Sequence, residues 1–144
     1  MRVADLINSR KEVFSVLDDA TVHDVARYLR ERRVRTVGVL DATGKLVGVI
    51  SQADISDRVA AENKCPAWMR VSEVMTKQLV TVSPEMPIDE CLVLMEKHKI
   101  FHLVVAEHKN KFLGMISVKD LLRVISSDHK ARADLLESFV FPQR

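Results

Sequence analysis

The chain of 144 residues repeats itself, and this repeat restricts the folds open to it more than any other feature of its sequence. Shifting the sequence by 66 positions places residues 13–59 on residues 79–125 without a gap. Only seven of the 47 aligned positions are identical, but apolar positions meet apolar positions almost throughout. Two copies are too few for a solenoid. The repeat therefore predicts two similar units, related by a pseudo-twofold axis, around one shared core.

Each copy opens with the same two elements. Upstream of the gap-free region the offset becomes 68, which pairs residues 3–6 with residues 71–74 and predicts a short leading helix in each copy. The first copy therefore carries two extra residues near residues 9–12. Short strands are predicted next, over residues 13–16 and 79–82.

An amphipathic helix follows the first strand of each copy. In the first copy apolar residues stand at positions 22, 25, 26 and 29, which is the spacing of one helix face. Thr21 is the expected N-cap, and Asp24 three residues later resembles the acidic partner of a capping box. In the second copy Pro87 suits the first helical turn.

Two further strands and a second helix complete each copy. The strands are predicted over residues 36–40, 46–50, 102–106 and 112–116. Gly44 and Asn110 occupy the same place in the connecting turns, and both residue types tolerate a positive φ. The last helices are predicted over residues 52–62 and 118–127. The unit is therefore β-α-β-β-α, an α/β (α+β) fold class in which helices cover a small sheet.

The repeat also divides the chain into segments. We expect a first domain at residues 1–62, a linker at 63–70, a second domain at 71–127 and a helical tail at 128–144. Trp68 in the linker is expected to pack onto the core because a tryptophan buries a large area, with stacking on a ligand base as the alternative. Residues 130–141 form an apolar, amphipathic stretch that is expected to cover either its own core or a partner subunit.

Composition argues against several classes of protein. Hydrophobic residues make up 47% and charged residues 29%, which is typical of a globular chain rather than a disordered one. The net charge of +2 gives no reason to expect a nucleic-acid partner, and no 18-residue apolar window predicts a membrane span. Cys65 and Cys91 are interpreted as reduced thiols, and no signal-peptide core is present, so we expect a cytoplasmic protein.

The strongest chemical signal is a motif, Gly-h-h-Ser-x-x-Asp with h an apolar residue, that ends the last strand of both copies. It reads Gly48, Ser51 and Asp54 in the first copy and Gly114, Ser117 and Asp120 in the second. A strand that ends at serine before a helix gathers unpaired N–H groups that favour an anion. The serine can donate to a phosphate oxygen, and the aspartate can accept from two vicinal ribose hydroxyls. The pattern thus fits half of a nucleotide site.

The same spacing has a purely structural interpretation. Ser-x-x-Asp also forms a helix N-cap with an acidic third residue. If only one copy had the motif, a helix cap would be the better interpretation. Both copies have it, with the same glycine and in the same structural context, so a ligand site is as good an interpretation as a cap. The residues themselves leave both interpretations open.

With these residues in view, the chain resembles a tandem pair of cystathionine-β-synthase-type (CBS) domains, a Bateman module, over about residues 1–127. The resemblance rests on the 66-residue repeat, the β-α-β-β-α order and the doubled motif. It implies a regulatory sensor, not an enzyme, that requires no cofactor. The implied ligands are AMP, ADP, ATP, NAD(H), S-adenosylmethionine or cyclic dinucleotides. It also implies a homodimer and an unknown effector protein that receives the signal.

The resemblance implies two clefts, each of which takes residues from both copies. In the first, Asp54 would hold the ribose and Ser51 a phosphate. The residues expected there are Arg35, Thr36, Ser51, Asp54, Leu79 and Val80. In the second, Asp120 would hold the ribose and Ser117 a phosphate. The residues expected there are Val13, Phe14, Phe101, His102, Ser117, Lys119 and Asp120.

Two departures affect the detail of these clefts. The family often carries proline in its second strand, where this chain has Gly38 and Val104, so the local backbone differs. Lys119 in the second copy stands where the first has Ala53. The second cleft is therefore expected to bind phosphate better, and occupancy of one site only is possible.

The sequence contains two other polar groups that were considered as sites, a cluster of arginines and a pair of histidines. Five arginines between residues 27 and 35 suit a solvated helix end, with Arg35 the best candidate to reach a phosphate. A nucleic-acid surface is disfavoured because Glu31 interrupts the arginine cluster and because the second copy has no such cluster. His98 ends a helix and His102 begins a strand, so they do not form a metal pair on one helix face. His102 is instead expected to make ligand binding sensitive to pH.

Two rival functions remain. One is a ligand-free interaction or dimerisation module, in which both serines are only caps. The other is an enzyme, which is disfavoured because the sequence has no Walker A loop, no G-x-G-x-x-G and no recognisable catalytic set.

Overall fold

The computed structural model describes residues 1–8 and 13–124. The tail predicted at residues 128–144 and the last residues of the helix predicted to end at 127 lie outside the described residues. In chain order, the first copy forms α1 (Val3–Ile7), β1 (Ser15–Leu17), α2 (Val22–Arg32), β2 (Thr36–Leu40), β3 (Leu46–Ser51), α3 (Gln52–Ile55) and a π-helical turn (Ser56–Ala60).

The second copy repeats this order after a 3-10 turn in the linker. Its elements are the linker turn (Pro66–Trp68), α4 (Val71–Val74), β4 (Thr81–Val82), α5 (Ile88–His98), β5 (His102–Glu107), a 3-10 turn (His108–Asn110), β6 (Lys111–Ser117) and α6 (Val118–Val124). The predicted mixed α/β class and the β-α-β-β-α order are confirmed.

The strands form two three-stranded sheets, ordered β1-β2-β3 and β4-β5-β6. β1 runs parallel to β2, with Ser15 opposite Gly38, because α2 provides the long crossover that a parallel pair needs. β2 and β3 are antiparallel, with Thr36 opposite Ser51. β4 is parallel to β5 in the same way, with Thr81 opposite Val104.

The chain divides into two compact units, and these units are not the two sequence copies. The unit around the first sheet, called the first-sheet unit, contains the described residues of Glu12–Leu79 and Glu107–Phe112. The second-sheet unit contains those of Met1–Lys11, Val80–Ala106 and Leu113–Arg144. The domain boundaries at residues 62 and 71 follow the repeat, whereas the compact units group residues that are distant in sequence.

The difference arises because each leading helix packs with the sheet of the other copy. The α1 backbone is held by the second copy, since Val3 N–H donates to the Met86 carbonyl at 2.9 Å. The α4 backbone is held by the first copy, since Val71 N–H donates to the Ala20 carbonyl at 2.9 Å. Val3 and Val71 are both 0% exposed, so each leading helix contributes a core side chain to the sheet it covers.

The buried side chains of the described residues form one cluster in each unit, and the expectation of one shared core stays a prediction. The first-sheet cluster contains Val22, Val25, Leu29, Val37, Val39, Ile50, Val59, Val71, Val74 and Met75. The second-sheet cluster contains Val3, Val82, Ile88, Cys91, Met95, Leu103, Val105, Ile116 and Leu121. Burial, together with the nearby Glu90 charge, raises the pKa of the Cys91 thiol to about 11, so this thiol behaves as a core side chain.

Local signals predicted the turns and the cap correctly. Gly44 has φ 87° and Asn110 φ 59°, as the connecting turns require. Thr21 accepts the Asp24 N–H at 3.1 Å and caps α2. The strand predicted at residues 13–16 begins only at Ser15, and the strand predicted at 79–82 contains only Thr81 and Val82.

The expected burial of Trp68 is wrong, because its side chain is 86% exposed. The backbone beside it pairs with the start of α2: the Val22 N–H donates to the Met69 carbonyl at 2.9 Å, and Thr21 and Arg70 form an antiparallel bridge. Met69 packs against the first-sheet cluster. The chain thus contacts the first-sheet cluster through Met69, the residue that follows the 3-10 turn, and leaves the Trp68 side chain in solvent.

The β2–β3 turn provides a pH-dependent contribution to stability. The Asp41 carboxylate accepts hydrogen bonds from the Thr43 hydroxyl at 2.6 Å, the Thr43 N–H at 2.9 Å and the Lys45 N–H at 3.0 Å. These bonds, that of the Thr43 hydroxyl foremost, hold the pKa of Asp41 below its usual value of 3.8. The charged form is favoured by folding, so this stabilisation is complete above pH 3.8 and is lost as the pH falls below it.

We therefore expect Asp41→Asn to be less stable than the wild type at pH 6, and the difference to shrink as the pH approaches 3. Urea unfolding of both proteins across this range measures the difference. A constant difference at every pH would contradict the assignment to Asp41.

Candidate functional site

The Ser-x-x-Asp motif lies at the same structural position in both units, where the last strand of a sheet meets the following helix. β3 ends at Ser51 and α3 begins at Gln52, while β6 ends at Ser117 and α6 begins at Val118. α3 contains only four α-helical residues before the π-helical turn, although the sequence predicted a helix to residue 62. A helix dipole this short adds little, so the chemistry of the site depends on its side chains.

Ser51 and Asp54 form a reciprocal capping box. The Ser51 hydroxyl accepts the Asp54 N–H at 3.1 Å, and Asp54 Oδ2 accepts the Ser51 N–H at 3.0 Å. The structural interpretation of this motif is therefore correct for the first copy. A cap does not exclude a ligand, because the Ser51 hydroxyl acts only as an acceptor in these bonds and can still donate its proton.

Ser117 and Asp120 form the matching arrangement in the second-sheet unit. Asp120 Oδ2 accepts the Ser117 N–H at 2.8 Å, and the Ser117 hydroxyl accepts the Asp120 N–H at 3.3 Å. The Ser117 hydroxyl also lies 3.1 Å from Asp120 Oδ2 and donates to it. A phosphate at Ser117 would have to compete with this carboxylate for the hydroxyl proton.

Asp54 has two further partners that the sequence analysis missed. The Thr76 hydroxyl donates to Asp54 Oδ1 at 3.1 Å, and Arg58 Nη1 lies 3.9 Å from the same oxygen. Arg58 is four residues after Asp54, a spacing that predicts an ion pair on a helix and was available in the sequence. Thr76 is 22 residues away and had no such local signal.

The motif glycine of the first copy has a packing role. Thr76 and Val49 form an antiparallel bridge, with N–H to carbonyl distances of 2.8 and 3.0 Å, which lays residues 75 and 76 along β3. A Cβ at position 48 would stand 2.7 Å from Met75 Sδ and 2.9 Å from the Thr76 carbonyl oxygen. Glycine is therefore required here by a neighbouring segment of the chain. Gly114 is required for another reason, because its φ is 143°.

The first sheet brings four of the residues expected in the first cleft to one end. Thr36 stands opposite Ser51 in the β2–β3 register, and the Gln52 N–H donates to the Arg35 carbonyl at 2.9 Å. Arg35 is exposed, while Thr36, Ser51 and Asp54 are half-buried. Leu79 belongs to the same unit and Val80 to the other, so their contribution to this cleft stays a prediction.

The second-sheet unit groups most residues expected in the second cleft in the same way. The Val118 N–H donates to the Phe101 carbonyl at 3.0 Å, which places Phe101 and His102 beside the Ser117 end of β6. Lys119 is exposed and the side chain of Asp120 is 19% exposed. Val13 and Phe14 belong to the first-sheet unit, where the Phe14 ring contacts Tyr28 with 6.4 Å between centroids, and their place in this cleft stays a prediction.

The arginine cluster at the end of α2 is solvent-exposed. Arg27 pairs with Glu31 at 3.7 Å, and the Arg32 guanidinium lies 5.1 Å from the centre of the Tyr28 ring. Arg33 takes the left-handed conformation that ends the helix, with φ 56°. These contacts suit the predicted solvated helix end.

Metal ligands and membrane-spanning helices were also considered as features of the fold. Among residues 1–8 and 13–124, no three His, Cys, Asp or Glu side chains come together as metal ligands. In the same part of the chain, no helix has the length and apolar character needed to cross a membrane.

The two α/β units, each with a capped Ser-x-x-Asp end, define the class of small tandem modules that pair a three-stranded sheet with short helices. The sequence model of the CBS domain matches residues 3–61 and 71–127. The chain therefore belongs to the CBS domain family, as the sequence analysis predicted.

Relatives with known sequences agree with this assignment. An uncharacterised protein of Methanocaldococcus jannaschii is 32% identical over 116 residues, which are 81% of this chain and 37% of that protein. A homoserine O-acetyltransferase of Methanococcoides burtonii is 31% identical over 123 residues, which are 85% of this chain and 24% of the enzyme. The chain thus spans well under half the length of these two relatives.

Solved structures share the fold along most of the chain. A CBS-domain protein from Burkholderia ambifaria is 26% identical with a TM-score of 0.80, over 90% of this chain and 96% of that one. A CBS domain pair solved in complex with methylthioadenosine and S-adenosyl-L-methionine is 24% identical with a TM-score of 0.77, over 87% of this chain and 95% of that one.

Proposed function

We propose that this CBS pair is a non-catalytic regulatory module that binds an adenosyl ligand at its two Ser-x-x-Asp ends. The ligand class comprises AMP, ADP, ATP, NAD(H) and S-adenosylmethionine. We further propose that the module acts in the cytoplasm as a homodimer and passes the signal to a separate effector protein. The observation that carries the proposal is the same half-buried Ser-x-x-Asp arrangement at the same end of both sheets.

The geometry at Asp54 suits a ribose diol. A carboxylate has about four acceptor positions, and the bonds from Ser51 and Thr76 use two of those at Asp54 in the described residues. One position on each oxygen is left for the two hydroxyls of a ribose. Ser51 can donate to a phosphate, and the exposed Arg35, which immediately precedes the neighbouring strand β2, adds positive charge. The CBS pair that holds methylthioadenosine and S-adenosylmethionine has the same fold, which supports the ligand class.

The alternative function is a ligand-free interaction module. Two observations favour it: both caps are complete without a ligand, and Trp68 is 86% exposed. An exposed tryptophan is a typical anchor of a protein interface.

A thermal-shift and calorimetry screen of AMP, ADP, ATP, NAD, NADH and S-adenosylmethionine tests the proposal. A ligand at one hundred times its dissociation constant should stabilise the protein by about 2.7 kcal/mol. Asp54→Asn and Asp120→Asn are the informative variants, because asparagine keeps the shape of the cap and loses the charge. Alanine at position 54 would remove the cap and the Thr76 contact together.

We expect at least one ligand to stabilise the wild type and one of the two variants to lose that effect. Asp24→Asn is the matched control, because Asp24 occupies the same helix position behind the Thr21 cap and lies outside the motif. If no ligand stabilises the wild type, the interaction module is favoured. If Asp24→Asn loses the stabilisation by ligand as fully as the motif variants do, the loss is caused by weaker helix capping and not by a lost ligand contact.

A further inference from the structure

We infer that Thr76 is a positioning residue for Asp54, and that with Arg58 it couples ligand binding at Asp54 to the segment that leaves α4. This inference rests on the proposed adenosyl site and identifies the part of the chain that responds to it. All the residues concerned belong to the first-sheet unit.

The first step is the orientation of the Asp54 carboxylate. A carboxylate held through one oxygen can turn about its last side-chain bond, since that torsion is broad in aspartate. At Asp54 the Ser51 N–H holds Oδ2 at 3.0 Å and the Thr76 hydroxyl holds Oδ1 at 3.1 Å. Bonds to both oxygens fix the carboxylate plane. The side chain is only 12% exposed, so water competes little for these bonds.

The second step is the placement of Thr76 itself. Arg58 Nη1 donates to the Val74 carbonyl at 2.7 Å and to the Met75 carbonyl at 3.2 Å, at the end of α4. These carbonyls would otherwise lack helical partners. The same guanidinium lies 3.9 Å from Asp54 Oδ1. One cation therefore connects the end of α4 to the carboxylate that Thr76 also contacts.

The third step follows because the ligand and Thr76 would bind the same carboxylate of Asp54. A diol that donates to Asp54 takes the acceptor position left on Oδ1, beside the bond from the Thr76 hydroxyl. The free energy of ligand binding therefore depends on the Thr76 bond, and the position of residues 74–77 depends on the ligand, because coupling between two sites is reciprocal. Since Asp54 is pre-oriented in the unliganded protein, we expect Thr76 to favour binding.

The test measures dissociation constants of AMP, ATP and S-adenosylmethionine by calorimetry for the wild type, Thr76→Val and Thr76→Ser. Thr76→Val keeps the side-chain shape and removes the hydroxyl, so Asp54-dependent affinity should fall about tenfold, as for one hydrogen bond to a charged group. Thr76→Ser should restore affinity to within about twofold of the wild type. Arg58→Gln, at a half-exposed side chain, should shift affinity in the same direction.

Thr43→Val is the matched control. It removes another threonine hydroxyl that donates to an aspartate in the same unit, the 2.6 Å bond to Asp41, and it should leave affinity unchanged. Hydrogen exchange provides a second measurement: the probe that binds should slow exchange of residues 74–77 in the wild type, and less so in Thr76→Val.

The outcomes separate the inference from the proposed function. If the wild type binds a probe and Thr76→Val binds it equally well, the inference is wrong and the proposed function stands. If Thr76→Ser fails to restore binding, Thr76 acts through packing rather than through its hydroxyl, and the inference is again wrong. If the wild type binds none of AMP, ADP, ATP, NAD, NADH and S-adenosylmethionine in the screen above, both are wrong.

Discussion

Val3→Asp is expected to lower the free energy of unfolding by at least about 3 kcal/mol, because it places an unpaired charge at a fully buried position. A domain has only about 5–15 kcal/mol of stability, so this variant is close to unfolding. Although residue 3 belongs to the first sequence copy, it packs in the second-sheet cluster. Hydrogen exchange should therefore lose protection over residues 80–106 and much less over residues 13–59.

Val71→Asp is the mirror experiment, with an equally buried valine of the second copy in the first-sheet cluster. It should cost a similar free energy and remove protection over residues 13–59. Val93→Asp, at a valine that is 64% exposed, should stay within about 0.5 kcal/mol of the wild type. The finding that each leading helix packs with the sheet of the other copy would be contradicted if either variant lost protection mainly in the sheet of its own sequence copy.

Gly48→Ala is expected to destabilise the protein by about 1–3 kcal/mol, the usual cost of overpacking. The new Cβ would meet Met75 Sδ at 2.7 Å and the Thr76 carbonyl at 2.9 Å, and the second contact is with backbone that cannot rotate away. The strain should move Thr76 off Asp54. Affinity for an adenosyl ligand should therefore fall together with stability, both measured in the same titration and denaturation experiments.

Gly38→Ala is the control for this substitution. Its Cβ would come within 2.7 Å of Phe112, but only of the outer ring atoms of a side chain. The ring can shift, so a smaller loss of stability and no change in ligand affinity are expected. Equal effects of the two substitutions would contradict the special role of the residue 75–76 segment.

The elements of the fold were largely predictable because their signals are local. The periodic apolar positions predicted α2, and its N-cap at Thr21 followed from a hydroxyl three residues before Asp24. The turn residues Gly44 and Asn110 both adopt the expected positive φ. The capping bonds of Ser51 and Ser117 also join residues three apart. Each of these signals lies within a few residues of the structure it specifies.

The surroundings of the candidate site were less predictable. Ser51, Asp54, Thr36 and Arg35 meet at one sheet end because an antiparallel pair places the start of β2 beside the end of β3. Thr76 joins them only because α4 packs on the first sheet and carries residues 75 and 76 along β3. A repeat-based alignment compares Thr76 with residue 8 of the other copy and therefore gives no sign of this contact.

The family, the order of the elements and the capped Ser-x-x-Asp ends were predictable from the amino-acid sequence, since they depend on short-range periodicity and hydrogen bonds. Long-range packing sets which sheet each leading helix covers, leaves Trp68 exposed and brings Thr76 to Asp54. These features depend on contacts between segments that are distant in sequence, such as the hydrogen bond from the Val3 N–H to the Met86 carbonyl. Two copies with the same apolar pattern offer each leading helix two similar sheets, and only the packed chain selects one of them.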